Sequence, residues 1–207
     1  YGYIGEMLPA KLRRGARLME LELFDRPGQL YYLIEYGRTL LMLDDERGIE
    51  ILREAAQKIL PHARDAQAPM PIVSLLLEQL LQFAPGQLPQ GFTPELVEQL
   101  ASRWFPTNPP LLWLLARKAA MAGQFDGAER MLRQLVQMGR DHSYDLSVSF
   151  DPSIVGDSAK ANLGACLLRL QKLDDAIAIF KELLTSPTHG EQARANLQAI
   201  EDYLQQM

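Results

Sequence analysis

Cysteine is almost missing from this chain, and the single Cys166 excludes both an intramolecular disulfide and a zinc site built from several thiolates. It sits in the apolar stretch GACLL, where a buried, inert thiol is the ordinary state. Histidine is scarce as well. His62, His142 and His189 are far apart in sequence and have no metal-ligand spacing, so no metal and no cofactor is expected. Nor is there an excess of positive charge: 21 Lys and Arg stand against 26 Asp and Glu, a formal charge of −5, which speaks against nucleic acid as a partner. No apolar run approaches the roughly 20 residues that span a bilayer. The opening YGYIGEMLPAKL also lacks the basic start and long apolar core of a leader. A cytoplasmic protein without a transmembrane segment is the expectation. Because the chain starts at Tyr1 rather than Met, an upstream piece is also expected.

What remains is helical. With 207 residues, 47% of them hydrophobic and 23% charged, the chain can bury one sizeable core or an extended array of small ones. Residues 9–26 carry Leu12, Leu18, Met19, Leu21 and Leu23 in a loosely amphipathic pattern, and Pro27-Gly28 stops them. Apolar residues then follow helical spacing from Leu30 to Leu43, and Ile49, Leu52, Ala56 and Ile59 make a second stripe within 46–60. The prolines of PHARDAQAPMP, residues 61–71, mark a connector. Helices are expected at 72–83 and 94–105, the second with Thr93 as its cap and Pro94 at its first position.

Between the first two stripes stand Asp44, Asp45 and Glu46. A catalytic or metal-binding role needs converging partners, which the local sequence does not supply. The acids are therefore expected in a solvent-facing turn, with Asp44 or Asp45 capping the helix that follows.

The pattern is sharper in the second half. Residues 108–139 hold two amphipathic runs joined at Gly123, whose missing side chain suits a left-handed helix end. Residues 157–185 repeat the plan. In both copies a small residue, Ala116 or Gly164, precedes a second small residue, Ala128 or Ala176, by 12 positions, and Leu132 or Phe180 follows four later. Small residues let antiparallel helices approach closely, and the larger residue one turn on fills the space beside the contact. The first hairpin has the same order, Gly37, Gly48 and Leu52, with one residue fewer in the turn.

This spacing resembles the tetratricopeptide repeat (TPR), a pair of antiparallel helices in about 34 residues. The resemblance implies an all-α, TPR-like right-handed superhelix of antiparallel helix pairs. As one domain, 1–207, it divides into an N-terminal helix and degenerate pair (9–60), an irregular helical spacer (61–107), a pair at 108–140, an insertion (141–156), a pair at 157–188 and a capping helix (189–207). It further implies a concave surface made by the first helix of each pair, used to receive an extended peptide. The family's groove-facing positions fall here on Tyr31, Ile34, Arg38, Leu41 and Met42; on Trp113, Arg117, Ala120 and Met121; and on Ala161, Ala165, Leu168 and Arg169. Tyr31, Arg38, Trp113, Arg117 and Arg169 are the ligand-groove candidates, the arginines as forks for a carboxylate.

A second resemblance concerns YGYIGEMLPAKLRRGARLMELELFDRPGQLYYLIEYGRTLLML, residues 1–43. It is similar to the segment following the catalytic domain of bacterial family-two glycosyltransferases. That implies a non-catalytic tail whose attached domain, upstream, would carry the chemistry, and none of that family's catalytic residues maps onto this chain.

Other constellations weigh toward packing. Asp141, His142 and Ser143 are adjacent in sequence, but a catalytic relay needs mutual side-chain geometry that adjacency does not provide. Trp104, Phe105 and Trp113 are expected in the core or between repeats. Tyr144, Leu146, Val148 and Phe150 alternate with polar residues, the pattern of an extended segment laid over the helices. The function expected from all this is non-catalytic: a scaffold holding a protein or peptide segment, or an attached catalytic domain, with no catalytic residue and no metal site of its own.

Overall fold

The computed structural model describes residues 7–144 and 149–206, and the chain groups into two compact units, Tyr1–Phe105 and Pro106–Met207. All regular structure among the described residues is helical: α1 (Met7–Asp25), α2 (Leu30–Leu41), α3 (Arg47–Ile59), α4 (Val73–Leu80) and α5 (Pro94–Trp104) in the first unit. The second holds α6 (Pro109–Met121), α7 (Phe125–Asp141), α8 (Asp157–Arg169), α9 (Leu173–Leu183) and α10 (Gly190–Gln205), with short 3₁₀ turns between some of them.

Three neighbouring pairs, α2–α3, α6–α7 and α8–α9, share the most extensive packing, as the repeated small residues predict. A methyl group added at Gly37 would lie 2.6 Å from Leu52 Cγ, and one at Gly164 would lie 2.6 Å from Phe180 Cε1. Ala116, Ala128 and Leu132 are likewise buried together in the second unit's core. Only a very small side chain fits at these crossings, and burying the large partner, Phe180 or Leu52, stabilises each by about 2 kcal/mol.

All three pairs turn by the same backbone device. Asp44, Gly123 and Gln171 have φ of 58°, 74° and 59°, each seven residues after the first small residue of its pair. The next amide reaches back over the end of the helix: Asp45 N to Leu40 O, Gln124 N to Ala119 O and Lys172 N to Leu167 O, at 2.9, 2.8 and 2.9 Å. This satisfies carbonyls that a helix end leaves without partners. Asp44 is thus the left-handed residue of the turn after α2, and neither it nor Asp45 is the cap of α3. That position is held by Glu46, whose side chain makes no cap bond, while Asp45 just before it accepts the Arg47 N–H at 3.0 Å. Asp44 and Glu46 are exposed and Asp45 is half-buried, which places the acid run in a wet turn.

Within 61–107 stand α4 and α5, inside the two ranges expected to be helical. Leu76, Leu77 and Leu80 of α4 and Val97, Leu100 and Ala101 of α5 are buried, and α4 packs on α2, α3 and α5. Thr93 Oγ1 accepts the Leu96 N–H at 3.2 Å as the cap of α5. At the other end of α5, Trp104 Nε1 donates to Asp65 O at 3.0 Å and Arg103 donates to Ala63 O, pinning the proline-rich connector. Trp104 is therefore a core residue with its one polar atom satisfied.

In the second unit Tyr144 and Phe150 meet edge to face, 5.3 Å between centres, and both pack against the core, as a flap laid over the helices would. Leu146 and Val148 lie outside the described residues. Val155 is buried and presses on α7 at Gly139, where an added methyl would collide with the Val155 carbonyl oxygen.

Candidate binding surfaces

In the first unit the face of α2 assigned to a groove is divided. Tyr31 is exposed and stands edge-on to Tyr32 at 5.3 Å, whereas Ile34 is fully buried and offers no surface. Arg38 is half-buried, its Nη1 donating to Glu35 Oε1 at 3.4 Å. Across from it α4 carries Ser74 and Glu78, one helical turn apart. Arg38 Nε, Ser74 Oγ and Glu78 Oε1 are buried and make no hydrogen bond to the described residues. Burial pushes the Glu78 carboxyl above the usual range, and the Arg38 charge opposes that rise. Leaving such atoms without partners costs about 1–3 kcal/mol each, so this part of α2 is a polar seam under α4 rather than an open arginine fork.

A recess of the first unit, about 580 Å³, lies between α1 and the turn into α3 and includes Arg13, Arg17, Glu20, Tyr36, Asp45 and Arg47. Arg47 and Asp45 neutralise one another, with Arg47 Nε 2.9 Å from Asp45 Oδ2, and this pairing lowers the Asp45 pKa. Burial, then the neighbouring Glu20 charge, raises the Tyr36 hydroxyl.

In the second unit the candidates are distributed differently. Trp113 is half-buried and packs on the core, so its ring is mainly structural. Arg117 is exposed, and Met121 one turn on is 85% exposed. Arg169 lies with its guanidinium carbon 5.3 Å from the centre of the Phe125 ring, a cation–π contact that holds the side chain against α7. Ala161 and Leu168 are half-buried and Ala165 is exposed. Leu168 also borders a mainly apolar cleft of about 240 Å³ beside α10, closed by Ile200 and Tyr203. The structure thus leaves Arg117 and Arg169 accessible in the second unit, while Arg38 is engaged in the first.

A feature that local sequence reasoning missed runs along α7. Glu129 is only 7% exposed, yet it accepts from Arg133 Nε at 2.9 Å and from Lys172 Nζ at 2.6 Å; Arg133 continues to Asp175. Burial alone would raise its pKa, but hydrogen bonds from Lys172 and Arg133, with their charges, together lower it. Two turns beyond Arg133, Arg140 of α7 reaches Glu182 of α9 at 3.1 Å, and Glu182 also takes Lys160 at 2.9 Å. Lys172 is 43 residues from Glu129, so no local spacing announces the pair.

The remaining suspects have ordinary partners. Asp141 takes the Gln137 amide at 2.6 Å, His142 ends α7 with φ 51°, and its ring meets Tyr144. His62 pairs with Asp65 at 2.9 Å in the open, and His189 Nε2 lies 3.3 Å from Ser158 Oγ. Cys166 is buried, and burial, then the Glu129 charge, raises its thiol pKa. Among the described residues no cluster of three or more His, Cys, Asp or Glu is placed to hold a metal ion, and no helix is long and apolar enough to cross a membrane. No family model, curated protein or solved structure matches the chain.

Proposed function

We propose that this chain is a non-catalytic helical-repeat scaffold. In its second unit, hairpins α6–α7 and α8–α9 stack in the right-handed manner of TPR pairs and hold a peptide segment of a partner on the face of α6 and α8. The observation that carries this reading is the one device repeated three times: small residue, left-handed turn seven residues on, second small residue, large residue four further. Repetition of one packing unit produces a shaped surface without reactive groups, and binding on it depends on preformed shape and a few anchors. Arg117 and Arg169 are the anchors, with Met121 and Leu168 as apolar neighbours, and they favour a segment carrying a carboxylate beside an apolar side chain. The working compartment in this proposal is the bacterial cytoplasm.

The test is a display selection of random peptides on the full chain, followed by affinity measurements on Arg117→Ala, Arg169→Ala and, as a control away from this face, Arg194→Ala. Peptides that lose about tenfold on the first two variants and nothing on the third support the reading, since a charge-assisted hydrogen bond is worth about that much. Binding indifferent to all three, or no binder selected, overturns it.

The attached-domain form of the same role rests on the resemblance of residues 1–43 to the tail of family-two glycosyltransferases. The coding sequence upstream of Tyr1 tests it: an alternating strand–helix domain with an acidic motif at a strand end supports it, and any other reading of that stretch removes it.

A further inference from the structure

Among the described residues ten large apolar side chains are exposed, and four of them, Leu8, Leu18, Leu21 and Phe24, belong to α1. Helix geometry explains the last three, Leu8 being on the inner side of the first turn. α1 turns Ala16, Met19 and Leu23 toward Tyr36 and Leu40 of α2, and among the described residues of this unit its opposite side is exposed. Along that side run Arg14, Leu18, Leu21 and Asp25. Their spacing of four, three and four is that of the core positions of a two-stranded coiled coil. Leu18 is 58% exposed and Leu21 56%, and beside them Phe24 is 83% exposed.

The order of charges decides what can cover this row. Its middle is apolar, with a cation at one end and an anion at the other. Parallel pairing with a second copy would set Arg14 on Arg14 and Asp25 on Asp25. Antiparallel pairing about a two-fold axis between Leu18 and Leu21 sets each Leu18 on the other Leu21, and each Arg14 on the other Asp25. The row is its own complement, as an isologous interface requires. The same axis brings like flanks together, so the guanidinium of Arg17 comes within reach of the Phe24 ring of the second copy. An anionic lipid surface suits Arg14 and Arg17 but would meet Asp25 on the same face, with Glu22 beside it.

We infer that α1 is a self-association surface on which two copies of the chain pair antiparallel through Arg14, Leu18, Leu21 and Asp25. Light scattering and sedimentation of the full chain over a wide concentration range test this. The wild type passes from monomer to dimer as concentration rises, and Leu21→Glu remains monomeric with an unchanged circular dichroism spectrum. Arg14→Asp and Asp25→Arg each weaken the dimer about tenfold, because each creates two like-charge contacts. An equimolar mixture of these two variants, or both changes in one chain, restores association to about the wild-type level. A wild type that stays monomeric at every concentration overturns the proposal, whether or not it binds phosphatidylserine vesicles. Single charge reversals without effect, or a failure of the paired reversals to restore the dimer, overturn it equally.

Discussion

In the first unit Gly37 and Gly48 meet backbone to backbone: a methyl on Gly48 would lie 2.5 Å from the Gly37 carbonyl oxygen. In the second unit Gly164 faces the rim of the Phe180 ring at nearly the same separation, while Ala116 and Ala128 space the remaining pair. The same crossing is thus made against rigid atoms in one place and against a side chain in the other. A ring can rotate or shift by a few tenths of an ångström, whereas a carbonyl inside a helix moves only with its helix. The two units differ in their buried acids as well. Glu129 is matched by two cations, while Glu78 is buried with one oxygen unsatisfied.

The largest effect is expected where backbone faces backbone. Gly139→Ala and Gly48→Ala each destabilise their unit by about 3 kcal/mol, the upper end for overpacking. Gly164→Ala costs about 1–2 kcal/mol, because Phe180 can yield. Urea unfolding followed by circular dichroism measures all three. Equal losses at Gly48 and Gly164 would break the distinction between yielding and unyielding contacts.

Next come the two acids, whose pH dependences have opposite sign. The folded-state pKa of Glu129 is lowered, so its ion pairs contribute fully above the ordinary glutamate range and are lost as pH falls through the folded value. Glu129→Gln should therefore cost about 1–2 kcal/mol near neutral pH, with the deficit closing in acid. The folded-state pKa of Glu78 is raised, so its charged form burdens the fold at neutral pH, and the burden lifts as pH falls through the folded value toward the unfolded one. Glu78→Gln should stabilise the first unit by about 1 kcal/mol near neutral pH and by progressively less in acid. Melting midpoints of both variants and the wild type across the acid range decide the matter, and curves of the same sign would refute the contrast.

The smallest effects concern the three turns. Gln171→Gly and Asp44→Gly should each add about 0.5–1 kcal/mol by relieving a left-handed residue, and Gly123→Gln should remove about as much. If thermal melts placed Gln171→Gly below the wild type, a specific side-chain contribution at that turn would replace the conformational one.

Much of this architecture was legible beforehand for a definite reason. Helix propensity, apolar periodicity and small-residue spacing are local, and they located the helices of each hairpin to within a few residues of their observed ends. Gly123 announced its left-handed turn, but Asp44 and Gln171 carry side chains that tolerate φ > 0 without advertising it. Gly139 sits near a helix end, where glycine is commonplace, and its packing against Val155 depends on an insertion that has no periodic signal. The Glu129 pairs join residues 43 positions apart and were equally hidden.

Arg38 and Arg117 mark the boundary between the two sources of information. They occupy equivalent positions in their repeats, and the sequence by itself determined that both stand on the first helix of a hairpin, directly after its small residue. Only the tertiary structure decided that α4 would pack over α2, half-burying Arg38 beside Glu78, while Arg117 stays in water. Periodicity tells a helix which side to turn inward because its causes lie within a few residues. Exposure depends on which distant helix arrives on the other side, and nothing in the repeat itself encodes that.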